Sequence, residues 1–311
     1  MKAKRQHWVP QFYLRQFATP ETRNLDKGRQ KIWAQAYATS TNFFETNIGN
    51  IASEKFLYSP VDPNTGQRDW KIDDRLGKQE AHVSKIWPDF IEHHLPFVGD
   101  HKKEWGYVPH GDILKQTFSF FIVQLHLRNP HNKKEIKEVI AQQISELEKA
   151  PKNKEGIPLV SHIRFSSGEK FSVDLSDWHK VKSGGDELID QIFLDMLASQ
   201  SRDLYEIIYN KKWRLVVSEN KHFLTCDRPV VVVDPSLGMI KSKIFFPISP
   251  NKCFILSDGD IEEGYFNAVE EHIPLINGAI IRNAIDQTYA HQDQIEAMKD
   301  AVLYHEQRLI S

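Results

Sequence analysis

The sequence predicts an α+β fold, in which a helical middle region packs on a C-terminal antiparallel sheet of four or five strands and an N-terminal segment docks against both. Three observations support this prediction. Apolar residues recur at three- and four-residue steps between residues 73 and 149. Short apolar runs separated by turn residues follow between residues 213 and 256. The segment 7–17 carries four aromatic side chains, too many for a free end.

The composition is that of a chain that can bury a core. The 311 residues are 40% hydrophobic and 26% charged, which excludes wholesale disorder and collagen-like character. Forty Lys and Arg stand against 42 Asp and Glu, so the net charge of -2 gives no global electrostatic argument for a nucleic-acid or membrane partner. We expect one compact domain over residues 1–311, with sub-regions 1–58, 73–149 and 157–311.

The N-terminal sub-region begins with a short helix and a strand. Pro10 suits the first turn of a helix over residues 11–17. Residues 31–37 contain β-favouring Ile, Trp and Tyr and predict a strand. Prolines and a glycine in residues 59–69 predict a surface loop.

Three helices are predicted in the middle sub-region. The first starts at Asp73-Asp74 and runs toward Ile91, with Pro88 expected to bend or end it. The second runs from Asp112 to Arg128, where Asn129-Pro130 stops it. The third covers residues 133–149 and is amphipathic.

The C-terminal sub-region changes character twice. After a loop at 150–156 we expect a two-stranded element (162–165 and 170–173) and a long helix (186–209). Five strand-like runs then form the predicted sheet: 213–217, 223–225, 230–233, 244–247 and 253–256. Helical spacing resumes over residues 267–289, and the tail to residue 311 predicts another helix.

The sequence indicates a cytoplasmic protein without a membrane partner. It contains neither a signal-peptide apolar region near its start nor an apolar run of the roughly 18 residues that a membrane span needs. Cys226 and Cys253 are too few for a disulfide framework and are expected to be reduced and buried.

The N-terminal segment supplies the first candidate site residues. If its aromatic side chains dock on the core, they carry His7 and Arg15 to fixed positions beside a cleft. His7 is then a candidate general acid or base, and Arg15 a candidate for substrate binding. The alternative is that His7 only satisfies a backbone carbonyl.

A second pair lies on the second middle helix. Gln124 and Arg128 are four residues apart and therefore share a helix face. The helix is apolar nearly all round, so an interior Arg128 would need a carboxylate or phosphate, which it would bind bidentately. Both are candidate substrate-binding residues. The alternative is an arginine that satisfies the last carbonyls of the helix.

Three carboxylates complete the candidate catalytic set. Asp227 follows a strand and precedes Pro229, which places it at the rim of the sheet, where acids often act as bases or metal ligands. Glu54 and Glu80 join it if the fold brings them near Asp227 or Arg128. The alternative for Asp227 is an Asx turn that accepts backbone amides.

Several familiar signatures are missing from the sequence. It has no phosphate-binding Gly-rich loop followed by Lys, no dinucleotide fingerprint, no His-Glu-x-x-His and no Gly-x-Ser-x-Gly. Lysines between 133 and 154 are interspersed with glutamates, which is typical of a solvated helix face but leaves nucleic-acid binding open. The cofactor is unassigned, and a divalent metal ion is compatible with the residue types.

Three blocks together resemble the bacterial domain of unknown function 4238 family. They are residues 7–17 (HWVPQFYLRQF), 223–230 (FLTCDRPV) and 246–250 (FPISP), with Trp8 and Cys226 in place of the usual Tyr and Ser. Glu54, Glu80 and Asn277 fall in the order that the family implies, and Asn277 enters the candidate substrate-binding set on that ground. The resemblance implies one unit over nearly the whole chain and no particular reaction.

Two functional hypotheses follow. The first is a hydrolase or nuclease-like effector in a defence or toxin setting, in which His7 transfers protons, Asp227 with Glu54 or Glu80 acts as base or metal ligand, and Arg128 holds a phosphate. The second is a non-catalytic ligand-binding or sensor protein, in which the same polar residues form a structural network. Solvent access to Asp227 separates the two hypotheses.

Overall fold

The computed structural model describes residues 4–36, 43–62, 65–93, 111–159, 162–164, 170–172, 186–199, 202–220, 222–259 and 261–292. In these residues the helices are α1 (Gln11–Leu14), α2 (Lys71–His93), α3 (Gly111–Leu127), α4 (His131–Lys149), α5 (Asp186–Ser199), α6 (Arg202–Asn210), α7 (Gly238–Lys241) and α8 (Ile273–Asn283). The mixed α+β class is confirmed.

The strands form two larger sheets and two sheets of two strands each. The strands are β1 (Arg5–His7), β2 (Lys31–Ala36), β3 (Phe43–Asn47), β4 (Ser53–Lys55), β5 (His162–Arg164), β6 (Lys170–Ser172), β7 (Lys212–Val217), β8 (Thr225–Cys226), β9 (Val231–Val232), β10 (Ile244–Ser249), β11 (Lys252–Ser257), β12 (Gly264–Asn267) and β13 (Gln287–Ala290). A five-stranded sheet has the order β12-β7-β11-β10-β9, and a four-stranded sheet has the order β3-β2-β13-β8. The two-stranded sheets pair β1 with β4 and β5 with β6.

The predicted sheet of four or five strands exists, but its membership differs from the prediction. β8 lies in the other sheet, where it pairs with β13, and β12 joins the first sheet in parallel with β7. β13 occupies the end of a segment predicted to be helical, so the prediction for residues 287–290 was wrong. Pairing with strands distant in the sequence outweighs local periodicity here.

Two helix boundaries also differ. α2 continues through Pro88 to His93, because Trp87 and Ile91 on either side of the proline are buried in the core. The segment predicted as one helix over 186–209 contains two, α5 and α6. The predicted C-terminal helix lies outside the described residues, and the prediction of one compact domain stays a prediction.

Aromatic packing fixes the N-terminal segment to the core, as the sequence predicts. The Tyr13 ring stacks on Phe246 of β10 at 5.7 Å between ring centroids, and Phe12 meets Trp87 of α2 edge-on at 5.5 Å. Trp87 in turn stacks on Phe118 of α3 at 5.3 Å. The start of the chain therefore lies between the sheet and the helices that carry Glu80 and Arg128.

The Tyr13 hydroxyl also connects the segment to both larger sheets. It is fully buried, donates to the Pro247 carbonyl at 2.6 Å and lies 2.7 Å from the Thr225 hydroxyl. Because the carbonyl takes the tyrosine hydrogen, Thr225 is the donor in the second bond.

Tyr13→Phe should therefore lower the free energy of unfolding by about 1–3 kcal/mol, because it leaves two buried partners without a hydrogen bond. Urea unfolding of Tyr13→Phe, Thr225→Val and the double variant measures the coupling between the two hydroxyls. If Tyr13→Phe were as stable as the wild type, the hydroxyl would not secure the segment.

Candidate functional site

Three polar side chains of the N-terminal segment form a hydrogen-bonded chain. Arg15 Nη2 donates to Gln11 Oε1 at 3.3 Å, and Gln11 Nε2 lies 2.8 Å from His7 Nε2. The arginine fixes the orientation of the Gln11 amide, so the amide N–H donates and His7 Nε2 accepts. The lone pair that His7 would use as a general base is therefore occupied.

The His7 imidazole is uncharged near neutral pH. Burial lowers its pKa to about 4, and the nearby charges of Arg5, Arg128 and Arg15 act in the same direction, while the Ile51 backbone opposes them. His7 Nδ1 has no hydrogen-bond partner among the described residues, so the alternative in which His7 satisfies a backbone carbonyl stays a prediction.

Arg128 is the most deeply buried charge of the site. Its side chain is 1% exposed, and its Nη1 donates to Glu80 Oε1 at 2.7 Å. Its Nε donates to the carbonyl of Trp8. The sequence predicted that a buried arginine here would need a carboxylate, and the structure supplies Glu80 from α2.

Tyr58 forms a hydrogen bond with the backbone of the same arginine. The buried Tyr58 hydroxyl donates to the Arg128 carbonyl at 2.9 Å. Burial raises the pKa of Tyr58, so the hydroxyl stays protonated and remains a donor.

Two cavities lie side by side along α2. The first has a volume of about 710 Å³, and its wall includes Gln124, Arg128, Phe120 and Tyr205. The second has a volume of about 880 Å³, and its wall includes His7, Arg15 and Tyr58. Leu76, Lys78 and Glu80 line both cavities. The predicted residues thus divide into two groups that share Glu80.

The first cavity is lined by buried polar side chains whose hydrogen-bonding capacity is unused. Gln124 is 2% exposed and Arg128 is 1% exposed. Gln124 Oε1, Gln124 Nε2 and Arg128 Nη2 have no hydrogen-bond partner among the described residues, and neither does Gln79 Oε1 of the same wall. The second cavity has fewer such atoms, on His7 and Arg15. These groups have lost contact with water without gaining a protein partner, which is costly.

Asp227 has a different environment. It is 2% exposed, and its carboxylate accepts the backbone N–H groups of Ile285 at 3.0 Å, Asp286 at 2.7 Å and Gln287 at 3.2 Å. Burial raises the pKa of this carboxyl, and the three amides oppose the rise. The carboxylate lines neither cavity. It accepts backbone amides, as the alternative for Asp227 expected, but they belong to the turn before β13, 58 to 60 residues away, and not to a local Asx turn.

The backbone of Asp227 nevertheless reaches the Arg128 region. Its carbonyl accepts from Trp8 Nε1 and from Asn129 Nδ2, both at 3.0 Å. The end of α3, the N-terminal segment and the turn after β8 are thereby joined behind the cavities.

The two remaining candidates lie outside both cavities. Glu54 is an exposed residue of β4, paired with Gln6 of β1. Asn277 of α8 is buried, accepts from the Leu224 N–H at 2.9 Å and donates to the His222 carbonyl at 3.0 Å. Its contacts are those of a structural residue.

The lysines of α4 are partly paired with acids. Lys133 lies 2.7 Å from Asp190, Lys137 lies 3.6 Å from Asp186, and Lys134 lies 4.0 Å from Glu138. Within the described ranges, no three His, Cys, Asp or Glu side chains group in a way that could hold a metal ion. No helix in the same ranges has the length and apolarity to span a membrane.

Sequence reasoning missed three groups that shape the site. Gln11 shares a four-residue spacing with His7 and Arg15, a signal that was available. Tyr58 and the pair Phe120 and Tyr205, whose rings lie 6.3 Å apart, come together only through long-range packing.

Comparison with known proteins gives one match. The family model described as "Protein of unknown function (DUF4238)" matches residues 5–294. Neither the curated proteins nor the solved structures give a significant match.

The low pKa of His7 predicts a pH-dependent stability. Between about pH 6.5 and pH 4 the unfolded chain binds a proton at His7 that the folded chain does not, so the free energy of unfolding should fall as the pH falls. Urea unfolding at several pH values in this range should show that the free energy of unfolding changes less steeply with pH in His7→Gln than in the wild type. The exposed His272→Gln is the matched control, and an equal slope in wild type and His7→Gln would contradict the prediction.

Asp227→Asn should destabilise the fold by about 1.5–3 kcal/mol. The amide nitrogen of asparagine cannot accept a hydrogen bond, so at least one of the three backbone N–H groups loses its acceptor. Chemical denaturation measures the loss. Asp234→Asn is the control, because this exposed aspartate accepts from Ser236 within a local turn, and its loss should be much smaller. Equal losses would show that the Asp227 carboxylate has no special structural role.

Proposed function

Because the chain belongs to the DUF4238 family, whose description names no activity, we propose from the geometry alone that the protein binds a small organic molecule in the first cavity. It then acts as a binding or sensor protein rather than as a hydrolase. The observation that carries this proposal is the set of unpartnered polar atoms on Gln124 and Arg128.

Unpartnered buried groups are rare because each costs about 1–3 kcal/mol. A protein that keeps them beside a cavity gains from them only when something else supplies the partners. Stability given up at a binding site is a common feature of functional residues. A ligand that bonds to the Gln124 amide and to Arg128 Nη2 supplies these partners, and this is why the protein keeps the two residues in the cavity wall.

The cavity has the size and wall of a small-molecule site. Its volume of about 710 Å³ lies within the range of about 300–1,000 Å³ that is usual for such sites. Its apolar wall consists of Leu76, Val83, Phe120, Phe121 and Tyr205. Apolar walls with a few polar groups are the usual composition of ligand pockets.

The contacts of His7 and Asp227 support binding better than hydrolysis. A general base needs a free lone pair, and His7 Nε2 already accepts from Gln11. The Asp227 carboxylate accepts three backbone amides, which keeps it in place but leaves it little capacity to act on a substrate.

A cytoplasmic, bacterial setting belongs to the same proposal. Its support is the family resemblance together with Cys226 and Cys253, which are free and fully buried. Burial raises the pKa of both thiols, which keeps them protonated and unreactive.

Gln124→Leu tests the proposal without knowledge of the ligand. It removes two unpartnered polar atoms and keeps a similar volume, so the ligand-free protein should gain about 1 kcal/mol or more in free energy of unfolding. Urea unfolding of the dialysed protein measures the change. Gln142→Leu, at an exposed position of α4, should shift stability by less than about 0.5 kcal/mol.

A loss of stability in Gln124→Leu would contradict the proposal. It would show that protein groups or ordered water satisfy the amide in the folded chain, as in a purely structural network. A ligand site predicts a gain in the free energy of unfolding and a structural network predicts a loss, so the measurement distinguishes the two functions.

A further inference from the structure

We infer that the ligand of the first cavity is an uncharged planar ring that carries an N–H group next to a carbonyl, as in a cyclic imide or lactam of the pyrimidinedione type. This inference rests on the proposed function and adds the chemical class of the ligand. It follows from the hydrogen-bonding capacity, the charge and the shape of the cavity wall.

The hydrogen-bonding capacity requires both a donor and acceptors on the ligand. Gln124 Oε1 can only accept, whereas Gln124 Nε2 and Arg128 Nη2 can only donate. A carboxylate or phosphate offers acceptors alone and would leave Gln124 Oε1 without a partner. An imide offers one N–H between two carbonyl groups, and this set complements all three atoms.

The charge of the wall favours an uncharged ligand. Glu80 Oε1 already bonds to Arg128 Nη1 at 2.7 Å, so the buried guanidinium is balanced by a carboxylate. An anionic ligand would compete with Glu80 for Arg128 and would add a second negative charge beside it. The other basic residues of the wall, Lys78 and His82, are exposed to solvent.

The shape of the wall favours a ring. A primary amide such as that of Gln124 pairs through two hydrogen bonds with an amide whose N–H and C=O lie on the same side. Open-chain secondary amides are almost always trans, so among secondary amides this cis arrangement is a property of rings. The rings of Phe120 and Tyr205 offer aromatic surface for stacking.

The three atoms are shielded from solvent although their residues line the cavity. Arg128 Nη2 keeps its position, because Nε and Nη1 are bonded to the protein. The terminal torsion of a glutamine side chain is broad, so turning the Gln124 amide toward a ligand costs little. The volume of about 710 Å³ leaves room for a substituent on the ring, such as a sugar.

Thymidine and 3-methylthymidine test the inference as a matched pair, because methylation removes the imide N–H and keeps the ring. Ligand-observed NMR titration of the full chain should give a dissociation constant at least about tenfold lower for thymidine. Gln124→Leu should weaken thymidine binding by a similar factor, and Gln142→Leu should leave it unchanged.

A third probe, benzoate, separates failure of the ligand class from failure of the site. Equal binding of thymidine and 3-methylthymidine, or binding of benzoate without thymidine in a manner that requires Arg128, would overturn the ligand class and keep a binding cavity. If no probe binds and Gln124→Leu also destabilises the fold, the proposed function fails with it. If no probe binds but Gln124→Leu stabilises the fold, the pyrimidinedione class alone is overturned.

Discussion

The buried guanidinium of Arg128 is the interaction on which the rest of the site depends. A cation that is 1% exposed must have partners, since removing one partner of a buried pair costs about 3–5 kcal/mol. Glu80 of α2 and the carbonyl of Trp8 supply them. The arginine thereby holds the N-terminal segment, α2 and the end of α3 in one arrangement, and the two cavities form along α2 between these elements.

The same arginine has polar atoms that bond to the protein and one that is proposed to bind a ligand. Among the described residues, its Nε and Nη1 atoms have protein partners, whereas its Nη2 and the Gln124 amide have none. The Asp227 carboxylate, the Asn277 amide and the Tyr13 hydroxyl bond to protein groups, which is the pattern of residues that hold a fold together. Unused capacity beside a cavity is what distinguishes Gln124 and Arg128 from them. The reading of this chain as a binding protein rests on that contrast.

Local patterns predicted the helices and much of the site. The four-residue spacing placed Gln124 and Arg128 on one face, and the apolar surroundings of α3 predicted a buried arginine that needs a carboxylate. The identity of that carboxylate was not predictable, because Glu80 is 48 residues away in the sequence. The strand at Gln287–Ala290 was missed for a similar reason: it pairs with β2 and β8, and the Asp227 carboxylate fixes the turn before it. Pro88 does not end α2, which continues to His93, since the buried neighbours Trp87 and Ile91 hold the helix in place.

Crystals of the full chain soaked with thymidine show most directly whether the first cavity binds a ligand through its unpartnered polar atoms. We expect density for the ring in this cavity, with its imide edge within hydrogen-bonding distance of the Gln124 amide and of Arg128 Nη2. A structure in which the cavity holds no ring, and in which ordered water or protein side chains bond to all three of those atoms, would contradict it.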